Sequence, residues 1–151
     1  MPLPADLDAV LGRLYGALQS ADLNTWAAMH SDDVVFNING QTVMSGRITG
    51  KDVVMNELLP LLFTRIKPEV SSFGVGWKCM CASDSRAAVI FEGRSETLEG
   101  EAYNNRYLQL LEFNDAGLIC EVWEFFDTAL AEALIFTPEQ RSPTGLSPFQ
   151  Y

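Results

Sequence analysis

Residues 4–20, PADLDAVLGRLYGALQS, set Leu7, Val10, Leu11, Leu14 and Leu18 at intervals of three and four, which makes one face of a helix apolar. Pro4 suits the first turn of that helix. Asp22 is placed to cap a short second helix through TWAAMH. The segment DDVVFNING then alternates and stops at Gly40, as a strand does. QTVMSGRITG reads as a short second strand or a hairpin arm, and Thr49 is a candidate cap for a third helix through GKDVVMNELLPLLFTRI. Pro60 inside that helix should kink or split it, because proline has no N–H to donate and its ring crowds the preceding turn.

From Val70 the period changes to two. VSSFGVGWKCMC, RAAVIFEGRSETL, AYNNRYLQLLEF and LICEVWEFF are strand-like segments separated by the turn signals SDS, EGE and NDAG, which predicts an antiparallel meander. Asp127 or Thr128 caps a last helix, TALAEALIF. The expected class is α+β, a curved sheet around helices, with one domain over residues 1–136 and a tail over 137–151. Phe149 and Tyr151 could anchor the tail to the body or a partner, while its Pro, Ser and Gly content predicts that deleting it leaves the fold intact.

Alternation also sorts the polar residues of the meander. Val122, Glu124 and Phe126 share one strand face, and Glu121, Trp123, Phe125 and Asp127 share the other. On the strand before, Asn105, Tyr107 and Gln109 oppose Arg106, Leu108 and Leu110. The polar trio either faces water or lines a cavity, with the aliphatic pair then packed on a partner subunit. Glu124 is either solvated, paired with Arg94 or Arg106, or desolvated and so raised in pKa toward use as a general acid or base. Ile90, Glu92, Arg94 and Glu96 share a face that reads as a salt ladder, with Glu92 the member nearest the middle.

At 151 residues and 48% hydrophobic content, the chain carries one ordinary core. Its formal charge of −10 repels phosphate backbones and anionic lipid, so no nucleic acid or membrane partner is expected. The longest apolar run, residues 53–63, is interrupted by Asn56, Glu57 and Pro60, too short and broken for a bilayer, and MPLPADLDAV has no basic start of a secretory signal. A cytoplasmic location is the expectation. Cys79, Cys81 and Cys120, with a single histidine far away in sequence, assemble neither a zinc-ligand spacing nor a disulfide framework. His30 ends the predicted second helix, where it either complements the helix dipole or, with a free pKa suited to it, serves proton transfer.

DLNTWAAMHSDDVVF, the G-x-x-Y-N-N-x-Y run from Gly100, and DAGLICEVWEFFDT resemble the SnoaL-like polyketide cyclase branch of the nuclear transport factor 2-like superfamily, over residues 5–135. That superfamily also holds ketosteroid isomerase and limonene epoxide hydrolase. The resemblance implies a cone-shaped fold with a deep pocket between helices and sheet, and homodimers. Ketosteroid isomerase-like chemistry would need a tyrosine where Leu14 stands, an aspartate at Ile38 and an acidic donor at Gln109, so all three positions depart. The epoxide hydrolase resemblance brings two carboxylates onto Glu92 and Glu124, but its arginine falls on Ile90, leaving Arg94 to supply a cation.

These lines converge on a mostly apolar cavity for a small hydrophobic organic ligand, with no metal or dissociable cofactor required. Glu124 is the expected acid or base, assisted by His30 or Glu92. Asn105, Tyr107, Gln109, Trp26, Val122, Phe126 and Arg94 are the expected ligand contacts. The reaction would be an isomerisation, cyclisation, dehydration or hydrolysis of a ring compound. The other reading is a non-catalytic binding or interaction module built on the same pocket.

Overall fold

A computed structural model describes residues 3–151 of the chain. Met1 and Pro2, the start of the domain expected over 1–136, lie outside the described residues. The first helix, α1 (Leu7–Gln19), opens at Asp6 and not at Pro4: the Asp6 carboxylate accepts from the Ala9 amide at 3.0 Å. In the same way Asp22 caps α2 (Leu23–Ala28), accepting from the Thr25 amide at 3.1 Å.

The third helical stretch runs as Lys51–Val53, a π-helical turn Val54–Leu58, and Leu59–Phe63. Gly50, which has no side chain to cap with, stands at its start in place of the expected Thr49 cap. Pro60 does not split this stretch. The turn ahead of it widens to the π form, and the residue that lacks an N–H falls in the first turn of the final segment.

Six strands form one sheet: β1 (His30–Ile38), β2 (Gly46–Thr49), β3 (Ser72–Ser83), β4 (Arg86–Glu96), β5 (Ala102–Phe113) and β6 (Ile119–Phe126), in the order β2-β1-β6-β5-β4-β3. The meander expected from Val70 onward is β3 to β6, antiparallel throughout, while β1 joins β6 in parallel and makes the sheet mixed. The last helix, Thr128–Leu134, is capped by Asp127, whose carboxylate accepts from the Leu130 amide at 3.0 Å.

One sheet face, lined by Phe36, Ile38, Val89, Phe91, Tyr107, Leu111 and Val122, packs with Leu11, Leu14, Tyr15 and Leu58 of the helices into a continuous core. Helix α1 crosses β3 closely because Gly74 has no Cβ and takes a left-handed φ of +83°; an added Cβ would stand 3.0 Å from the Tyr15 carbonyl oxygen. Gln19 Nε2 donates to the Gly74 carbonyl at 2.9 Å and holds this crossing in place. The tail lies on the body. Arg47 and Ser147 exchange backbone hydrogen bonds at 2.7 and 3.1 Å along the edge of β2, and Trp123 Nε1 donates to the Gln150 carbonyl at 2.9 Å on the outer sheet face.

Candidate functional site: a buried carboxylate held by a glutamine

Register places Gln109 of β5 directly beside Glu124 of β6, and Ile38 of β1 on the other side of Glu124. All three point inward, because strand side chains alternate and this face is the apolar one. Gln109 Nε2 donates to Glu124 Oε2 at 2.5 Å, and the Tyr15 hydroxyl donates to Gln109 Oε1 at 2.9 Å. The glutamine amide is therefore oriented from α1 and presents its N–H to the carboxylate. Its second Nε2 hydrogen has no protein partner among the described residues.

Glu124 is set deep among protein atoms, is half-buried, and faces a cavity. Desolvation there pushes its pKa up, and the Gln109 hydrogen bond works the other way without cancelling it. The Tyr15 hydroxyl is also raised well above the usual tyrosine range, by burial first and then by the Glu124 charge. Tyr107, whose ring stacks on Phe91 at 5.0 Å, is raised by burial and by the adjoining Tyr103 and Glu124. Both phenols are neutral donors at physiological pH.

The cavity holds about 70 Å³ and is walled by Trp26, Phe36, Ile38, Met44, Leu58, Leu59, Leu62, Phe91, Tyr107, Gln109 and Glu124, with Leu18, Phe63 and Phe73 at one side. Glu124 is the only ionisable carboxylate in that wall. Trp26, Tyr107, Gln109 and Glu124 thus lie together around one space, where the polar residues of the meander and the second helix were expected to meet.

Several expected members are elsewhere. His30 is the first residue of β1 and not the last of α2; it sits buried behind Trp26 and Phe36, its ring 4.1 Å from that of Trp26, and it is not part of the cavity wall. Its Nδ1–H donates to the Trp26 carbonyl at 2.8 Å. Burial drives its pKa down to about 4, with Lys51 adding to the effect and the Trp26 carbonyl opposing it.

Glu92 and Arg94 are on the opposite sheet face. Register pairs Glu92 with the exposed Arg106, while Val89, Phe91 and Gly93 occupy the inward positions of β4. Arg94 binds Glu92 at 2.9 Å, so these charges form a surface pair and not a second acid and cation for Glu124. They border a wider, open concavity of about 690 Å³ with Ile90, Arg106, Leu108 and Phe125.

Asn105 points inward but spends its amide on the protein. Its Nδ2 donates to the Tyr103 hydroxyl and the Asp127 carbonyl, both at 3.0 Å, and its Oδ1 accepts from the Asp127 amide at 3.1 Å, so it locks the junction of β6 and the last helix. Val122 shares the Glu124 face but is packed into the core beyond the cavity, and Phe126 lies against Tyr107 at 5.6 Å outside the wall.

Tyr15 is the member that sequence reading missed. Its signal was present, because Leu11, Tyr15 and Leu18 follow the same helical spacing as the apolar stripe. A hydroxyl carried on a core-facing stripe needs a buried partner, which Gln109 supplies.

Among the described residues no three His, Cys, Asp or Glu groups gather as metal ligands, and no helix is long and apolar enough to cross a membrane. Residues 11–122, more than half of the chain, match the SnoaL-like domain family. No curated protein matches the chain. Solved structures similar to it include a nuclear transport factor 2-like protein of unknown function from Burkholderia pseudomallei, 19% identical, with a TM-score of 0.73 over 89% of this chain and 100% of that one. A candidate polyketide cyclase from Pseudomonas putida is 19% identical with a TM-score of 0.67, covering 84% and 96% of the two chains. A candidate isomerase from Bacillus subtilis is 19% identical with a TM-score of 0.66, covering 95% of each. At these identities the structural likeness establishes the fold, and the family match establishes the kinship: the chain belongs to the SnoaL-like domain family.

Proposed function

We propose that this protein binds a small apolar ligand in its internal cavity and moves a proton on it with Glu124. The observation that carries the reading is the hydrogen-bond chain from the Tyr15 hydroxyl through the Gln109 amide to Glu124, ending at the one carboxylate of a mostly apolar wall. A desolvated carboxylate is a stronger base than one in water, and its raised pKa brings it nearer to neutral pH, where proton transfer in both directions is efficient.

With Glu92 and Arg94 on the outer face and His30 behind the wall, Glu124 has no second carboxylate, imidazole or cation beside it in that wall to share a hydrolytic mechanism. That favours reactions in which one group removes and returns the same proton: isomerisation or cyclisation. Glu124 would take the proton from a carbon next to a carbonyl, leaving the electron pair as an enolate. The free Gln109 N–H would face the oxygen that gains the charge, and the Glu124 acid would then return the proton to another carbon.

The test is exchange in heavy water. Incubated with cyclohexenones and aryl ketones, the protein should speed deuterium uptake at the activated carbon. Glu124→Gln should abolish the acceleration, and Tyr15→Phe should weaken it at least tenfold. Equal uptake with wild type and Glu124→Gln across the series would end the catalytic reading. A non-catalytic binding module is the second reading, favoured by the small volume of about 70 Å³. It requires binding without Glu124-dependent exchange.

A further inference from the structure

Resting on the reading of Glu124 as the reactive group, the size of its chamber raises a difficulty. About 70 Å³ admits a few waters and is about half of the roughly 150 Å³ of a dry cavity that binds benzene. No ring compound fits beside Glu124 in this arrangement. A second apolar chamber of about 180 Å³ adjoins the first, walled by residues that include Leu23, Ile66 and Pro68. The two chambers share three walls: Leu18, Phe63 and Phe73.

We infer that Leu18, Phe63 and Phe73 are a movable partition, and that the ligand is a single-ring apolar molecule with one oxygen. It would enter by the outer chamber and occupy both when the partition opens.

The elements that carry the partition are built to shift. Phe63 ends the stretch Leu59–Phe63, which follows the π turn and contains Pro60, so the helical hydrogen-bond spacing changes where a hinge would have to be. Leu59 and Leu62 on this stretch also wall the inner chamber, so a tilt of one helical turn enlarges it from two sides. Phe73 starts the irregular part of β3, with register shifts between Phe73, Val75 and Lys78. Its ring lies over Gly93, where a Cβ would come within 2.6 Å, and packs against Phe63 with ring centroids 5.6 Å apart. Phe63 itself is half-buried and Leu18 is half-buried, so neither is locked on every side.

Merged, the chambers exceed the benzene-sized space but stay below the roughly 300–1,000 Å³ of sites for drug-sized ligands. One ring with short substituents fits, whereas a four-ring skeleton does not. The single oxygen follows from the walls, because Gln109 and Glu124, neighbours across β5 and β6, set one polar spot in a chamber that is otherwise mostly apolar.

The experiment follows 4-fluorophenol by fluorine NMR, which reads binding and exchange without any turnover. The expected result is a one-to-one complex with wild type whose exchange quickens at least tenfold in Phe63→Ala, with Phe63→Leu between the two. A fluorinated four-ring steroid should neither bind wild type nor displace the phenol. Cooperative unfolding of each variant controls for loss of fold, and Phe63→Leu keeps the test valid if the alanine variant is unstable. Exchange rates within twofold of wild type in both Phe63 variants would overturn the partition. So would the absence of 4-fluorophenol binding to every form, and a steroid bound as tightly as the phenol would overturn the size assignment. Gated binding without deuterium exchange on any ketone would sink the catalytic reading and leave the partition standing.

Discussion

The Tyr15 hydroxyl reaches Gln109 Oε1 at 2.9 Å across 94 residues of sequence, and so α1 decides which way the glutamine amide faces Glu124. Turned over, the amide would set its oxygen against the carboxylate, two acceptors in contact. The tyrosine proton prevents this.

Tyr15→Phe removes the donor and leaves Gln109 Oε1 buried without a partner, at a cost of about 1–3 kcal/mol. Denaturant unfolding should show a loss of that size with cooperativity intact. Gln109→Leu in the Tyr15→Phe background should recover none of it, since the Glu124 carboxylate then loses its own donor. If Tyr15→Phe is neutral, the amide is not oriented from the helix.

Glu124 gives the stability curve a sign. Its pKa is raised in the folded state, so the folded protein binds more protons than the unfolded chain between the ordinary carboxylate pKa and the raised value. The contribution is most favourable below the ordinary carboxylate pKa and is lost as pH rises through the raised one. Glu124→Gln should flatten this dependence and leave the protein as stable as wild type, or more so, near neutral pH. Destabilisation beyond about 2 kcal/mol by both Glu124→Gln and Glu124→Leu would make Glu124 a structural partner instead.

His30 acts in the opposite sense. With its folded pKa pushed down to about 4 by burial, the unfolded chain binds the extra proton first, so stability present above the unfolded value near 6.5 is lost as pH falls toward 4. Urea midpoints measured between pH 7 and pH 5 should fall for wild type and fall less for His30→Gln. Equal slopes would show that His30 is protonated in the folded protein.

We propose a dimer formed through the outer sheet face that bears Leu108 and Leu110. Ile90 and Leu108 are cross-strand partners there, 39% and 38% exposed, beside the half-buried Leu110. Large apolar neighbours exposed together favour self-association through one two-fold patch. Sedimentation at micromolar concentration should give twice the 16.7 kDa chain mass, and Leu108→Lys should return the monomer. A monomer from wild type would remove the proposal.

The tail is pinned at Ser147 and Gln150 and buries the edge of Trp123. Deleting residues 137–151 gives the Trp123 N–H to water and leaves all six strands paired. The expected loss is about 0.5–1.5 kcal/mol for each hydrogen bond given up, with unfolding still cooperative. Non-cooperative melting would make the tail part of the domain.

Local pattern determined most of the elements by itself. The segment AYNNRYLQLLEF became β5 with the same ends, Ala102 and Phe113, and the acidic residues before α2 and the last helix became caps. Period two also placed Glu124 opposite Trp123 and Gln109 opposite Leu108 before any fold was known. These are properties of a few neighbouring residues, and neighbours suffice to set them. Tertiary structure decided the rest. Whether Glu92 joins Glu124 depends on which face of β4 packs on the helices, and the inward set Val89, Phe91 and Gly93 sent the charges outward. Two residues of difference at the end of α2, which closes at Ala28, moved His30 from a helix terminus to a strand behind Trp26. Asn105 found its partners at Asp127, 22 residues on, and Tyr15 found Gln109 at 94. Cavity volume is furthest from the sequence, because it is the small difference between the space that six strands and the helices enclose and the side chains that fill it. The orientations of Phe63 and Phe73, which line the cavity, enter that difference directly, and no pattern of polar and apolar positions records them.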